Sequence, residues 1–191
     1  MTRSHIVVDS DAHVIEPADL WDRYMDKRLR ERGPKQVVPG GIALRIDGEV
    51  LPPNNILGNA PITSTKREKY RKAAEQKFSA GSYLEAMQEE GIDLSVLFPT
   101  VGLIVMGAAK AGAEVTTAAA AAYNAWLAEL CAGGQGKLFG VGMIDPRDVD
   151  AACREAERCV KSLGFVGLFM RPNPVCGRQF YDPVYDPLWS L

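Results

Sequence analysis

The chain has 191 residues and a formal net charge of −2, from 22 basic and 24 acidic side chains, so it lacks the basic excess that nucleic-acid or anionic membrane partners require. Apolar residues make up 47% and charged residues 24%, which are globular proportions, and no apolar run approaches the ~20 residues of a membrane span. We therefore expect a soluble folded chain that forms one domain or part of a larger one.

The N-terminus and the cysteines both indicate a cytoplasmic protein. The first residues lack the apolar core of a signal peptide, and the four cysteines include no CxxC pair. We therefore expect reduced thiols, with neither secretion nor a disulfide framework.

The first third of the chain begins with one strand and then changes character. The run 6–8 predicts a buried strand that ends in the polar cluster 9–13, and Glu16-Pro17 is predicted to open a short helix. Residues 33–78 form a predicted insertion, in which Asp47-Gly48 marks a hairpin turn and a charged, exposed helix covers 65–77.

From residue 82 onward, helical and strand-like segments alternate. The predicted elements are a helix at 82–90, a strand at 92–100, an Ala-rich helix at 113–132, a strand at 137–144, a helix at 148–163, a strand at 165–170 and the start of a helix at 183–191. The strands are apolar runs without polar alternation, which is typical of a parallel sheet covered by helices. Functional residues of such folds lie at the carboxyl ends of the strands.

The end of the first strand carries the most informative pair of side chains. In extended backbone Asp11 and His13 point to the same side about 7 Å apart, so they could grip one metal ion. A hydrogen-bonded turn or a capping aspartate remains the simpler interpretation of these two residues.

Five motifs together resemble the amidohydrolase-related family, the branch of the amidohydrolase superfamily that includes aminocarboxymuconate-semialdehyde decarboxylase. They follow the family's order along the chain: 8–17 (VDSDAHVIEP), 87–93 (MQEEGID), 97–100 (LFPT), 122–127 (AYNAWL) and 164–173 (GFVGLFMRPN). The resemblance implies a (β/α)₈ barrel enzyme with one divalent metal, usually zinc. It further implies hydrolysis or non-oxidative decarboxylation of a small molecule without an organic cofactor.

Carried over by motif, Asp11 and His13 occupy the metal-ligand positions of the first strand. Many members of the family have His or Glu where this chain has Asp11, and an acidic oxygen ligand suits zinc or manganese equally. The expected substrate is a small, aromatic or cyclic carboxylic acid or a related compound.

Three further residues at strand ends are candidates for substrate binding. Arg171 could clamp a carboxylate, Asn173 could orient a hydroxyl or carbonyl, and Thr100 ends the second core strand. A salt bridge that stabilises the loop and a turn asparagine are the simpler alternatives for Arg171 and Asn173. Glu16 could support the metal ligands from behind or serve as an acidic group at the start of a helix.

Length and ligand count both indicate half of a barrel. Four strands are predicted, whereas a (β/α)₈ barrel has eight. The 191 residues also fall short of the about 250 residues of a typical whole barrel. Of the two histidines, His5 precedes the first strand, opposite His13, and the family's further ligands, a His from the fifth strand and an Asp from the eighth, lie beyond Leu191. We therefore expect residues 1–191 to be the N-terminal portion of such an enzyme, inactive alone and, with open strand edges, prone to form homo-oligomers.

A non-catalytic half barrel that self-associates or docks on a full-length relative is the alternative. A doubly wound nucleotide-binding domain is disfavoured, because no GxGxxG or GxxxxGK[ST] motif follows a strand.

Overall fold

A four-stranded parallel sheet organises the protein. The computed structural model describes residues 5–37, 43–51 and 70–191. The sheet has the strand order β1-β5-β6-β7, and a separate antiparallel sheet has the order β2-β3-β4. The strands are β1 (Val8–His13), β2 (Lys35–Gln36), β3 (Leu44–Ile46), β4 (Glu49–Leu51), β5 (Leu94–Phe98), β6 (Leu138–Met143) and β7 (Gly167–Phe169).

Helices connect the parallel strands, as the alternation in the sequence predicts. They are α1 (Leu20–Tyr24), α2 (Arg71–Glu75), α3 (Ala80–Glu90), α4 (Val101–Val105), α5 (Ala113–Ala132), α6 (Val149–Lys161) and α7 (Asp186–Trp189), with a 3₁₀ turn at Pro183–Tyr185. This succession of parallel strands and helices confirms the predicted partial barrel, and β2, β3 and β4 confirm a small hairpin segment after the first strand.

The Ala-rich helix α5 packs closely on the sheet because its inward face is small. Ala119, Ala120 and Ala122 are buried, and the Asn124 side chain bonds both backbone groups of Met143 in β6, at 2.8 and 2.7 Å. Asn124 thus docks a helix on the sheet.

The structure corrects two predictions about the beginning of the chain. The first strand is not buried, because it lies at an edge of the sheet: Ile6 is 70% exposed and Val8 is 50% exposed. The short helix opens at Leu20 and not at Glu16-Pro17, since Glu16 is drawn into contacts with another part of the chain.

The structure also contains a helix that was not predicted, and one predicted helix lies partly outside the described residues. Helix α4 was not predicted, because Val101–Val105 is an apolar, partly β-branched run that favours a strand locally. Of the charged helix predicted at 65–77, residues 65–69 lie outside the described residues, and the described part forms α2. None of the described helices is both long and apolar enough to cross a bilayer.

Candidate metal site

An extra residue in β1 shapes the end of the strand that carries the candidate ligands. Asp9 pairs with Ser95 and Ala12 with Leu97, so β1 has one more residue than β5 between these two pairs. A bulge of this kind re-aims side chains and is common beside active sites. Asp11 lies within this bulge and His13 just after it, with side chains 82% and 44% exposed at the carboxyl end of the sheet.

A backbone carbonyl sets the orientation of the His13 ring. His13 Nδ1 lies 2.8 Å from the carbonyl oxygen of Pro99 at the end of β5. A carbonyl only accepts hydrogen bonds, so Nδ1 carries the proton, and in the neutral ring Nε2 presents its lone pair. Metal-binding histidines are commonly held by such a bond, which leaves the opposite nitrogen free for the ion.

The free nitrogen of His13 faces the carboxylate of Asp11. Asp11 Oδ1 and His13 Nε2 are 3.8 Å apart. Two ligands that hold one ion at about 2.1 Å with tetrahedral geometry lie ~3.4 Å apart, so a small side-chain rotation brings both onto a shared cation. The donor pair therefore fits a divalent metal, as two ligands of its set.

These two residues do not form a complete ligand set. Within residues 5–37, 43–51 and 70–191, no group of three or more His, Cys, Asp or Glu side chains could hold a metal ion together. A catalytic zinc ordinarily has three protein ligands, so such an ion at Asp11 and His13 would need further ligands.

The Glu16 carboxylate is buried and lies behind this pair. Its Oε1 accepts hydrogen bonds from the backbone N–H groups of Thr100 at 3.0 Å and Gly102 at 2.9 Å, and Oε2 accepts one from Val101 at 3.0 Å. Burial raises the pKa of Glu16, whereas these N–H donors act in the opposite direction. Glu16 thereby ties the loop after β1 to the first turn of α4.

Thr100 lies between Glu16 and His13. Its side chain is buried and makes no capping bond to α4; its Oγ1 lies instead 3.4 Å from His13 Nδ1. The structure therefore brings together four of the candidate residues, Asp11, His13, Glu16 and Thr100.

Arg171 and Asn173 line a cavity of about 310 Å³ together with Met106, Gly107, Arg147 and Cys176. Arg171 Nη1 donates to the carbonyl oxygen of Leu103 at 3.0 Å, so Arg171 is bonded to α4. A larger cavity of about 370 Å³ borders Ile92, Asp93 and Lys137, which precede β5 and β6. That cavity lies at the amino ends of the strands, whereas barrel enzymes use the carboxyl ends.

A buried ion pair at the end of β6 has no role in the sequence interpretation. Asp145 Oδ1 accepts a bond from Arg147 Nη1 at 2.8 Å, and the two side chains are 0% and 7% exposed. The Thr116 hydroxyl donates to Asp145 Oδ2, and Arg147 Nη2 donates to the Ala108 carbonyl. The signal for this network was the polar strand end Asp145-Pro146, but only the fold reveals its partners.

Comparison with known families agrees with this architecture over almost the whole chain. A family model described as Amidohydrolase matches residues 8–191. The chain belongs to the amidohydrolase family. This places the β1 motif and the strand ends within one recognised family, as the resemblance implies.

The relatives of this amidohydrolase include enzymes that act on aromatic acids. It is 33% identical over 109 residues to a gamma-resorcylate decarboxylase from Polaromonas sp. (strain JS666 / ATCC BAA-500), a match that spans 54% of this chain and 32% of that enzyme. A solved amidohydrolase from Mycobacterium avium subsp. paratuberculosis K-10 has a TM-score of 0.77 and 23% identity, over 99% of this chain and 56% of the other.

A third similar structure contains a metal. It is 5-carboxyvanillate decarboxylase from Novosphingobium aromaticivorans DSM 12444, complexed with manganese and 4-hydroxy-3-methoxy-5-nitrobenzoic acid, with a TM-score of 0.63, 18% identity and coverage of 98% of this chain and 47% of the other. At these identities the two structures establish the fold. The amidohydrolase chain described here spans about half the length of these solved relatives.

Proposed function

We propose that this amidohydrolase chain is the metal-binding N-terminal portion of a non-oxidative decarboxylase that acts on a small hydroxylated aromatic carboxylic acid. The observation that carries the proposal is the Asp11–His13 pair, whose facing oxygen and nitrogen lie 3.8 Å apart at the carboxyl end of the sheet. The gamma-resorcylate and 5-carboxyvanillate decarboxylases among its relatives support the reaction and the substrate class. Hydrolysis by the same metal site is the alternative reaction.

Asp11 and His13 would hold a divalent ion, either zinc, as the family resemblance implies, or manganese, as in the solved 5-carboxyvanillate decarboxylase. When bound, such an ion polarises substrate oxygens or lowers the pKa of its water toward neutrality. The chain itself would orient His13: the hydrogen bond from Nδ1 to the Pro99 carbonyl oxygen turns the lone pair of Nε2 toward the ion.

Substrate binding would fall to Arg171, Asn173 and Thr100. The guanidinium of Arg171 has five N–H donors, so one bond to Leu103 leaves others free for a substrate carboxylate. Asn173 borders the same cavity and could orient a phenolic hydroxyl group. Thr100 would supply a hydroxyl beside His13.

The remaining ligands and the rest of the barrel would correspond to the part of the longer relatives that this chain does not match. We therefore propose that the 191-residue chain binds a divalent metal weakly and does not turn over substrate alone. The coverage of 56% and 47% of the solved relatives supports this proposal.

Manganese binding tests the ligand assignment. The chain and its His13→Ala and Asp11→Asn variants would be titrated with Mn²⁺ by calorimetry and by electron paramagnetic resonance. The exposed His5 provides the matched control, His5→Ala. We expect the first two variants to lose at least about tenfold in affinity. Equal loss in His5→Ala, or no Mn²⁺ binding by the chain, would contradict the assignment.

Exposed apolar residues at the outer strands favour self-association as a second property. Val8 in β1 is 50% exposed, Val166 before β7 is 57% exposed and Leu168 in β7 is 39% exposed. Apolar strand edges of this kind pair readily with a second chain. We propose a homo-oligomer, which light scattering after size exclusion would detect, and a monomer at micromolar concentration would contradict it.

We also propose a cytoplasmic location. Cys131, Cys153, Cys159 and Cys176 are all free thiols, which suits a reducing compartment. Cell fractionation with a compartment marker tests this, and recovery outside the cytoplasm would refute it.

A further inference from the structure

One peptide group connects Glu16 to His13. The amide between Pro99 and Thr100 offers its N–H to Glu16 Oε1 at 3.0 Å and its carbonyl oxygen to His13 Nδ1 at 2.8 Å. The carboxylate, the peptide group and the imidazole therefore form one continuous chain of hydrogen bonds that ends at the nitrogen facing Asp11.

We propose that Glu16 is a positioning residue that fixes the Nδ1–H tautomer of His13 through the Pro99–Thr100 peptide. When an anion accepts a hydrogen bond from the N–H of an amide, electron density on the carbonyl oxygen of that amide increases. The carbonyl oxygen then accepts a hydrogen bond more strongly. Such cooperative strengthening amounts to roughly 10–30% per bond. The importance of this tautomer for metal binding rests on the proposed function, whereas the relay itself does not.

The bonds of Glu16 favour this role over that of a carboxylate at the start of its own helix. Helix α1 begins at Leu20. Asp19 occupies its N-cap position, but the Asp19 side chain makes no capping hydrogen bond. Glu16 instead bonds the first turn of α4, the helix that follows β5. Carboxylates that hold a metal-binding histidine usually contact it directly, and here a peptide group takes the intermediate position.

The bonds of Thr100 also favour the relay over simple capping of α4. Thr100 occupies the N-cap position of this five-residue helix, and threonine is a common N-cap residue, but its hydroxyl makes no capping bond. The hydroxyl faces His13 at 3.4 Å, so the carboxylate of Glu16 replaces it at the helix start. The N-terminus of α4 and the ring of His13 are thus organised by the same carboxylate.

The test uses nitrogen NMR of the chain labelled with ¹⁵N-histidine, without metal. Only His5 and His13 contribute signals, so the tautomer of His13 is directly assignable by comparison with His5→Ala. Glu16→Gln is the main variant, since a glutamine carbonyl at the position of Oε1 keeps the bonds from Thr100 and Gly102, removes the charge and gives up only the bond from the Val101 N–H. Glu31→Gln removes a charge from an exposed side chain as the matched control.

We expect the Nδ1–H tautomer to dominate in the wild-type chain and in Glu31→Gln. In Glu16→Gln the population should shift toward the Nε2–H tautomer, and the dissociation constant for Mn²⁺ should rise at least about tenfold. Thr100→Ala keeps the peptide group, so it should keep the tautomer of His13. A role of Glu16 in folding alone would lower the unfolding midpoint without changing this tautomer.

An Nε2–H tautomer in the wild-type chain, or an unchanged tautomer in folded Glu16→Gln, would overturn the relay. Should Glu16→Gln fail to fold, Glu16→Asp takes its place, because the shorter side chain keeps the charge but withdraws it from Thr100. Loss of the Nδ1–H preference in that variant supports the relay, and its retention overturns it. Failure of the metal-site proposal is distinguishable, since it would appear as absent Mn²⁺ binding with the tautomer result intact.

Discussion

The buried pair Asp145–Arg147 gives a quantitative prediction about the carboxyl end of β6. Both side chains are withdrawn from water, at 0% and 7% exposure, and their closest bond is 2.8 Å long. Asp145→Ala would leave the Arg147 guanidinium buried without its counter-charge, which costs about 3–5 kcal/mol for pairs of this kind. That is a large part of the ~5–15 kcal/mol by which folded domains are stable.

A double-mutant cycle measures the coupling. Arg147→Ala strands the opposite charge and should cost a similar amount, but the double variant removes both charges, so its loss should fall short of the sum by about 2 kcal/mol or more. Urea unfolding followed by circular dichroism gives the four free energies. The exposed pair Asp26–Arg28 is the control, where water screens the charges and truncation should change stability little. Additive losses at Asp145 and Arg147 would refute the reasoning.

Three further predictions concern named contacts. A Cβ on Gly107 would lie 2.2 Å from Arg171 Nη1, so Gly107→Ala should break the Arg171 bond to α4 and cost about 1–3 kcal/mol in urea unfolding, but less in an Arg171→Ala background, where only the Ile104 carbonyl oxygen at 3.1 Å stays close. Burial raises the pKa of Cys159 to about 12, so at pH 8 a thiol reagent should label the exposed Cys176 first and reach Cys159 only on unfolding, as peptide mapping would show. Burial raises the pKa of Tyr83 to about 12 from 10.0. The stabilising effect of the buried, neutral phenol is therefore complete below pH 10 and is lost between pH 10 and 12, as the tyrosine of the unfolded chain ionises. When thermal stability is measured against pH, Tyr83→Phe should flatten this part of the profile.

Most of the fold could be predicted because its elements carry strong local signals. The Ala-rich helix spans 113–132 as predicted, and the end of α3 coincides with Gly91, which has a positive φ of 73°. Glycine tolerates this conformation without a steric penalty, so the helix stop is visible in the sequence. The exposure of β1 was not visible, since a short apolar run does not show whether a neighbour covers both of its faces.

The candidate site, like the fold, could be predicted from the sequence only in part. The sequence pairs Asp11 with His13 through the strand period and the family motif, and in the structure Asp11 Oδ1 and His13 Nε2 lie 3.8 Å apart. The bond from His13 to Pro99 and those from Glu16 to α4 join residues more than 80 positions apart, so no local pattern contains them. For Arg171 the sequence suggested a substrate carboxylate as partner, but it gave no sign of the bond to the Leu103 carbonyl that the fold supplies.

Helix α4 shows why these contacts matter together. Its five residues form a helix too short to be stable by itself, and its N-terminal N–H groups are bound by the anionic Glu16 while the cationic Arg171 binds the Leu103 carbonyl. An anion at the start of a helix and a cation toward its end both complement the helix dipole. Two side chains from distant parts of the chain therefore define this helix. Since His13 is held at Pro99, just before the N-cap residue of α4, and Arg171 at Leu103 within the helix, a substitution that loosens α4 should disturb the metal-binding and substrate-binding candidates together.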